Sequence, residues 1–258
     1  MPTVEELYTY LNQIAPFESA MSFDNVGVLV GDRQTRSELV LVALDATAAV
    51  LREAAQKEIS VVITHHPVIF HPLKALETDS SPYLAARYGI TVLSAHTNLD
   101  VAPGGVNDTL AEAAGVRPEK RFPEDCALVG CLEKSLDCES LARQLCENLQ
   151  LSGLRYTDPG AVVSRVLVAC GAGGSSVSLA RKEGADAILT GEIKHHEILY
   201  ANDHGIAVFD IGHFGSEKLI VPRLIRLLGE RFPDTAFLRS ETDDDGIFYR
   251  DGRSSYGT

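Results

Sequence analysis

The sequence lacks any run of roughly 18 apolar residues, the length a membrane-spanning helix needs. It is also short of positive charge, with 23 Lys and Arg against 36 Asp and Glu, a formal net charge of −13. Such a surface repels phosphate backbones and no Lys/Arg cluster offsets it, so nucleic-acid binding is not expected. Cysteine is sparse: five residues, an odd number, without a C-x-x-C pair. That argues against a zinc knuckle or a thioredoxin-like site. Cys126, Cys131, Cys138 and Cys146 lie close together and read as structural or incidental thiols. Residues 1–6 have neither a basic start nor an apolar stretch, so no secretory signal is expected. Together with reduced cysteines this points to a cytoplasmic address.

What is present suits a sizeable core: 258 residues, 45 % hydrophobic and 23 % charged. Near-continuous apolar, β-branched runs at 40–44, 61–64 and 90–93 read as buried strands, with helices over 48–57 and 82–88 between them. That alternation predicts mainly parallel sheets covered on both faces. The order then returns. Val166-Leu167-Val168-Ala169 repeats Val40-Leu41-Val42-Ala43, Ala187-Ile188-Leu189-Thr190 repeats Val61-Val62-Ile63-Thr64, and residues 205–209 repeat 89–93. The predicted fold class is α/β, two related α/β/α units from an internal duplication with a site in the cleft between them. Charged residues 119–125, with Pro123, suggest a boundary, giving units 1–125 and 126–258. Residues 132–150 read as an added amphipathic helix. The tail from Asp243, acidic and then rich in Gly and Ser, reads as a frayed end.

Ligands in open α/β sheets lie beyond the carboxyl ends of the strands. The ionisable residues fall there. His65, His66 and Pro67 end the second strand, residues 95–100 with His96 and Asp100 end the third, and His213 and Glu217 follow the matching strand of the second copy. Counted from Gly89 and Gly205, Asp100 and Glu217 hold nearly equivalent places, so a pseudo-twofold would bring both carboxylates to one cleft. Three imidazoles and two carboxylates suit Zn, Mn, Fe or Co better than Mg alone. Adjacent His65 and His66 cannot easily point the same way and can each serve a different ion. A carboxylate at Glu217 could bridge two ions about 3.5–4 Å apart.

Several residues nearby carry two readings. His96 could orient a ligand, touch substrate or be structural. Asp45, ending the first strand, could support a ligand or cap a helix. Glu192, His195 and His196 follow the repeat of the strand bearing His65 and His66, and Gly191 and Glu192 occupy the two positions of that pair. His195 or His196 could act as a general acid–base, or be surface helix residues. Residues 171–176 (Gly-Ala-Gly-Gly-Ser-Ser) could cradle a phosphate or form a tight strand–helix turn; they complete neither G-x-G-x-x-G nor a P-loop.

The ordered motifs Phe23-Asp24-Asn25-Val26-Gly27, Thr64-His65-His66-Pro67, His96-Thr97-Asn98-Leu99-Asp100, Gly104-Gly105-Val106-Asn107-Asp108, Thr190-Gly191-Glu192 and Gly212-His213-Phe214-Gly215-Ser216-Glu217 span nearly the whole chain. With them the chain resembles the Nif-three-like dinuclear metal-centre family, also called GTP cyclohydrolase 1 type 2 homologues. The resemblance implies that His65, His66, Asp100, His213 and Glu217 ligate two divalent ions per subunit. It pairs His66 with Asp100 and His65 with His213, with Glu217 bridging. It also implies a toroidal homohexamer with its metal sites facing an inner cavity. Phe23 stands where the family often has Trp, and residues 243–246 where many members have an Asp-Pro turn. The expected function is a metal-dependent hydrolase acting on a nucleotide or small phosphorylated compound. The alternative is a non-catalytic ring protein that stores, delivers or senses metal.

Overall fold

A computed structural model gives the fold of residues 1–248. The first part of the chain runs α1 (Val4–Ile14), β1 (Gly27–Val30), β2 (Leu39–Ala43), α2 (Ala48–Gln56), β3 (Val61–Thr64), α3 (Ser81–Tyr88), β4 (Thr91–Ser94), α4 (Thr97–Val101) and α5 (Val106–Ala114). It continues as β5 (Val116–Phe122), β6 (Ala127–Leu136), α6 (Cys138–Leu149), β7 (Arg155–Tyr156), β8 (Val163–Ala169), α7 (Val177–Lys182), β9 (Ala187–Thr190), α8 (His195–Asp203) and β10 (Ala207–Asp210). Helices α9 (His213–Glu217) and α10 (Ile220–Arg231) and strand β11 (Ala236–Arg239) follow.

The strands form two sheets, ordered β1-β4-β3-β2-β11 and β5-β6-β8-β9-β10-β7. Within the first, β2, β3, β4 and β11 run parallel and β1 is antiparallel. Within the second, β8, β9 and β10 run parallel, and β7 is antiparallel beside β10. The duplication is therefore longer than the sequence blocks suggest. Each copy places an antiparallel strand, β1 or β7, outside its third parallel strand, although that strand comes first in the chain. Strands β7 and β1 share no readable sequence pattern, so only their pairing exposes the match.

Alternate side chains on each strand go to opposite faces. Val40 and Val42 of β2 join Val166 and Val168 of β8 in one core between the sheets, with buried residues of α1, α5, α6 and α10. Leu41 and Val62 face outwards onto α2 and α3. Leu167 and Ile188 face outwards onto α7 and α8. Two α/β/α units thus share their inner helices, which explains why the strands read as continuous apolar runs.

The two sheets do not divide at one point in the chain. Charged residues 119–125 belong largely to β5, an edge strand of the second sheet whose interior residues are exposed. Charge on an edge strand blocks further pairing, and it also makes the strand look like a linker. Strand β11, from the far end of the chain, completes the first sheet. Residues 132–136, expected in a helix, instead finish β6 against β5 and β8. The helix starts only after Asp137, whose Oδ1 accepts from Ser140 N at 2.8 Å. The tail does not fray at Asp243: its buried carboxylate accepts from Leu44 N at 2.6 Å and Asp45 N at 3.3 Å. The rest of that Gly- and Ser-rich tail, from residue 249, lies outside the described residues. All five cysteines are free thiols. No helix among the described residues is long and apolar enough to cross a membrane.

Candidate metal centre

The five predicted donors converge where the carboxyl ends of the two sheets face each other. His65 and His66 leave β3, with Pro67 ending the strand directly behind them. Asp100 lies on α4, after β4, and Glu217 ends α9, after β10. Helices α4 and α9 are the equivalent turns of the two copies, which is why their carboxylates meet. Gly212, at φ 81°, makes the reversal that starts α9 and points His213 into the cleft.

Each imidazole has its Nδ1 occupied. His65 Nδ1 bonds the Ala95 carbonyl at 2.9 Å, His66 Nδ1 bonds Asp45 Oδ1 at 2.8 Å, and His213 Nδ1 bonds Glu192 Oε1 at 3.0 Å. The three Nε2 atoms then turn towards Glu217 Oε2, at 3.9, 3.0 and 3.2 Å respectively. His65 Nε2 is also 3.4 Å from Asp100 Oδ1. Among the described residues, donors close enough to hold an ion fall into three groups: His65, Asp100 and Glu217; His66, His213 and Glu217; and His65, His66 and His96. Glu217 belongs to two of them, as a bridging carboxylate would. The pairing implied by the resemblance is not the one found: His65 goes with Asp100, and His66 with His213. Consecutive residues at the strand end turn to opposite sides. One ring reaches the Ala95 side, from which α4 departs, and the other reaches Asp45 and α9.

The donors are largely buried. His65 and Glu217 are only 0 % and 2 % exposed, and His65 Nε2 and Glu217 Oε2 have no partner in hydrogen-bond geometry. Leaving such atoms unmatched is costly, and a cation among them removes the cost. The donor set, imidazole nitrogen with carboxylate oxygen, fits a borderline divalent ion.

The electrostatics agree with that fit. Burial alone would raise the Glu217 carboxyl, but His213 and His66 beside it hold it well below the usual range. Burial would lower His66, yet Asp45 and Glu217 carry it up to about 10. Glu217 raises His213 to about 9 against burial. His65, fully buried, is pushed down, and Asp100 is pushed up by burial and then by the Glu217 charge. The carboxylates and imidazoles thus form a coupled set that favours bound positive charge, whether protons or metal.

The residues of uncertain role are now placed. Asp45 orients His66, while the cap of α2 is Thr47, whose side chain accepts from Val50 N. Glu192 stands where the first copy has His66 and supports His213 instead. His96 is fixed through Nδ1 by Asp24 at 2.9 Å, and its ring centroid is 5.1 Å from that of His65. His195 and His196 are not brought to the cluster. Both are exposed on the first turn of α8, and neither joins any of the donor groups. The turn at 171–176 lines the cavity over the donors, but its glycines answer to packing. A Cβ at Gly171 would collide with Glu217 Oε1, and one at Gly173 would be 2.5 Å from Ala169 Cβ. Gly171 is the repeat equivalent of Asp45, and the second copy has no side chain there, where Glu217 needs room.

Three supporting residues carried no functional reading in the sequence. Asp24, its side chain wholly buried, accepts from His96, Thr97 N and Thr97 Oγ1. Cys170 donates through Sγ to Asp100 Oδ1 at 3.4 Å, with its thiol pushed well up by burial and then by the Asp100 charge. Asn107 binds the Asp100 carbonyl and Cys170 N. Asp24 and Asn107 stand inside the motifs 23–27 and 104–108, the one signal that could have flagged them; Cys170 had none beyond its place at a strand end.

Comparison with known proteins agrees over nearly the whole length. A "GTP cyclohydrolase 1 type 2 homolog" of Clostridium perfringens is 31 % identical over 255 residues, covering 94 % of this chain and 97 % of that protein. The protein of the same name in Clostridium acetobutylicum is 33 % identical over 227 residues, covering 83 % and 85 %. The crystal structure of a Staphylococcus aureus hypothetical protein superposes with a TM-score of 0.88 at 26 % identity, covering 96 % of this chain and 99 % of that one. The model of the family described as Duf34/NIF3 (NGG1p interacting factor 3) matches residues 2–245, and the chain belongs to that family.

Proposed function

We propose that the cluster is a dinuclear divalent-metal centre and that the protein is a metal-dependent hydrolase of the GTP cyclohydrolase 1 type 2 kind, acting on a nucleotide or a small phosphorylated compound. One observation carries the reading: three imidazoles, each locked through Nδ1, turn Nε2 towards the single buried oxygen Glu217 Oε2. His65 and Asp100 would hold one ion, His66 and His213 the other, and Glu217 both. Ions held there would supply Lewis acidity and an activated water. Asp45, Glu192 and the Ala95 carbonyl keep the three rings aimed, and Asp24 keeps His96 facing the same space. The relatives' names support the choice of reaction. A 27 % identical Helicobacter pylori protein is called "GTP cyclohydrolase 1 type 2", without qualification.

The direct test is turnover. Protein with two ions per chain verified by elemental analysis is offered GTP and a nucleotide panel. Metal-dependent product formation, abolished in Glu217→Gln, is expected; silence across the panel removes the hydrolase reading for those substrates. The burial of Glu217 and His65 weighs against metal delivery, which needs donors that exchange freely with solvent. We further propose the toroidal homohexamer, which light scattering would report as six times the 27.9 kDa chain mass.

A further inference from the structure

Three imidazoles, His65, His66 and His96, converge in a donor group that leaves Glu217 out. All three belong to the first copy, at the neighbouring ends of β3 and β4. Counted by the same offsets, the second copy has Gly191, Glu192 and Gly212 at the matching positions. His96 is aimed as firmly as the other two. Its Nδ1 lies 2.9 Å from Oδ1 of Asp24, whose side chain is wholly buried. That oxygen also accepts from Asn25 N at 2.8 Å, while Asp24 Oδ2 accepts from Thr97 N at 3.0 Å and Thr97 Oγ1 at 2.5 Å. A carboxylate filled in this way leaves the His96 Nδ1 only the role of donor.

His65 and His66 are held alike, the one donating to the Ala95 carbonyl and the other to Asp45. In the neutral form that binds metal, a ring donating through Nδ1 presents a lone pair at Nε2. Three such lone pairs face a common point. The donor atoms lie within 4.8 Å of one another, the ring centroids are 4.9, 5.1 and 5.4 Å apart, and no hydrogen bond joins any two of these rings among the described residues. The Nε2 of His65, fully buried, has no hydrogen-bond partner at all. Lone pairs so placed repel one another, and a cation among them turns the repulsion into attraction. His65 and His66 have a single nitrogen each left to give. An ion held by the three imidazoles and a pair of ions bridged by Glu217 therefore cannot be present together.

We propose that His65, His66 and His96 form a station for a single borderline divalent cation, the one-ion state of the centre. A second ion then draws His65 to Asp100 and His66 to His213 around Glu217, and His96 is left facing the cavity that it lines. This rests on the metal reading above and adds to it an order of filling and a ligand used only on the way. The first ion needs one half of the molecule, and the second needs both.

Metal-free full chain is titrated with copper(II), whose electron paramagnetic resonance spectrum counts bound nitrogens, and with zinc against a chromogenic chelator, which gives the two stepwise affinities. At one equivalent of copper, three nitrogens are expected in the parent and fewer in His96→Gln. For zinc, His96→Gln should weaken the first step by roughly ten-fold or more, since even the carboxylate behind a ligating imidazole is worth that much. It should tighten the second step by the same factor, because a residue that is no ligand of the two-ion state leaves the product of the two constants unchanged. His96→Phe, which keeps a ring in that space, should do the same. A merely structural role would lower the product instead. Glu217→Gln should keep the first ion and lose the second. Fewer than three nitrogens at one equivalent, a first step indifferent to both changes at His96, or loss of the first ion in Glu217→Gln overturns the proposal. The two readings fail differently. Two ions bound without dependence on His96 keep the dinuclear centre and remove the station, whereas a three-nitrogen ion never joined by a second does the reverse.

Discussion

A histidine becomes a good metal donor when its other nitrogen is spoken for, and His65, His66 and His213 achieve this with three different partners: a backbone carbonyl, Asp45 and Glu192. Glu217 is the residue on which they converge, so removing its charge while keeping its shape tests the centre most sharply. If the proposed dinuclear centre is right, Glu217→Gln should drop the metal content from two ions per chain to one or none, with an unchanged far-ultraviolet spectrum. Two ions retained at full affinity would mean that Glu217 does not bridge. Asp45→Asn and Glu192→Gln act at one remove. Losing the carboxylate behind a ligating imidazole typically costs 10- to 100-fold in metal affinity, and competition with a chromogenic chelator would measure it. The donor types and their strand-end positions were legible in the sequence because the repeat placed Asp100 and Glu217 in register. Which imidazole joins which carboxylate was not legible. That depends on side-chain direction at a strand end, and neighbours in sequence there face opposite ways. His195 and His196 misled because following the repeat of the His65–His66 strand does not bring the first turn of α8 to the cluster; both are exposed there.

Among the elements, α2 shows how a segment far off in sequence is fastened. Glu53, buried on α2, accepts from Ser240 Oγ, Glu241 N, Thr242 N and Thr242 Oγ1, and pairs with Lys57 at 2.8 Å. Burial pushes its carboxyl up, but Lys57 and these donors outweigh it and bring the carboxyl down to about 2 from 4.5. A folded-state value below the unfolded one means stability that is fully present above about pH 4.5 and lost as pH falls towards 2. The linked free energy is on the order of 3 kcal/mol at most. Urea unfolding at pH 6 and pH 3 should therefore show a larger acid loss in the parent than in Glu53→Gln; equal losses would contradict the assignment. The parallel strands and their helices were readable from apolar runs, whereas β5 was not. An edge strand whose interior is a continuous exposed, charge-rich run has the composition of a linker.

For the molecule as a whole, the sequence revealed two copies of one unit but not how they are joined. Strand β11 pairs with β2 nearly 200 residues earlier, Ala236 opposite Leu39, and no local pattern announces a pairing at that distance. A chain ending after residue 235 should lose soluble expression, because the edge of β2 and the inner core both open; soluble yield beside the full chain is the measurement. Bound metal should stabilise the whole by mass action, about 4 kcal/mol for a site filled at a thousand times its Kd. Exhaustive chelation is accordingly expected to lower Tm by roughly ten degrees, restored on adding metal back.

The bond from Asp243 to Leu44 and Asp45 has a consequence for biosynthesis. A ribosome delivers His65 and His66 early, then Asp100, and only much later His213, Glu217 and the segment that fastens Asp45, the support of His66. During most of translation the nascent chain carries a fragment of a donor set with nothing to complete it. On the metal reading proposed above, an ion would therefore be captured by the full donor set only once Glu217 and the Asp243 segment have been made. The ion such a centre took would then be decided by which metal the cell holds available at that moment, as much as by the geometry waiting to receive it.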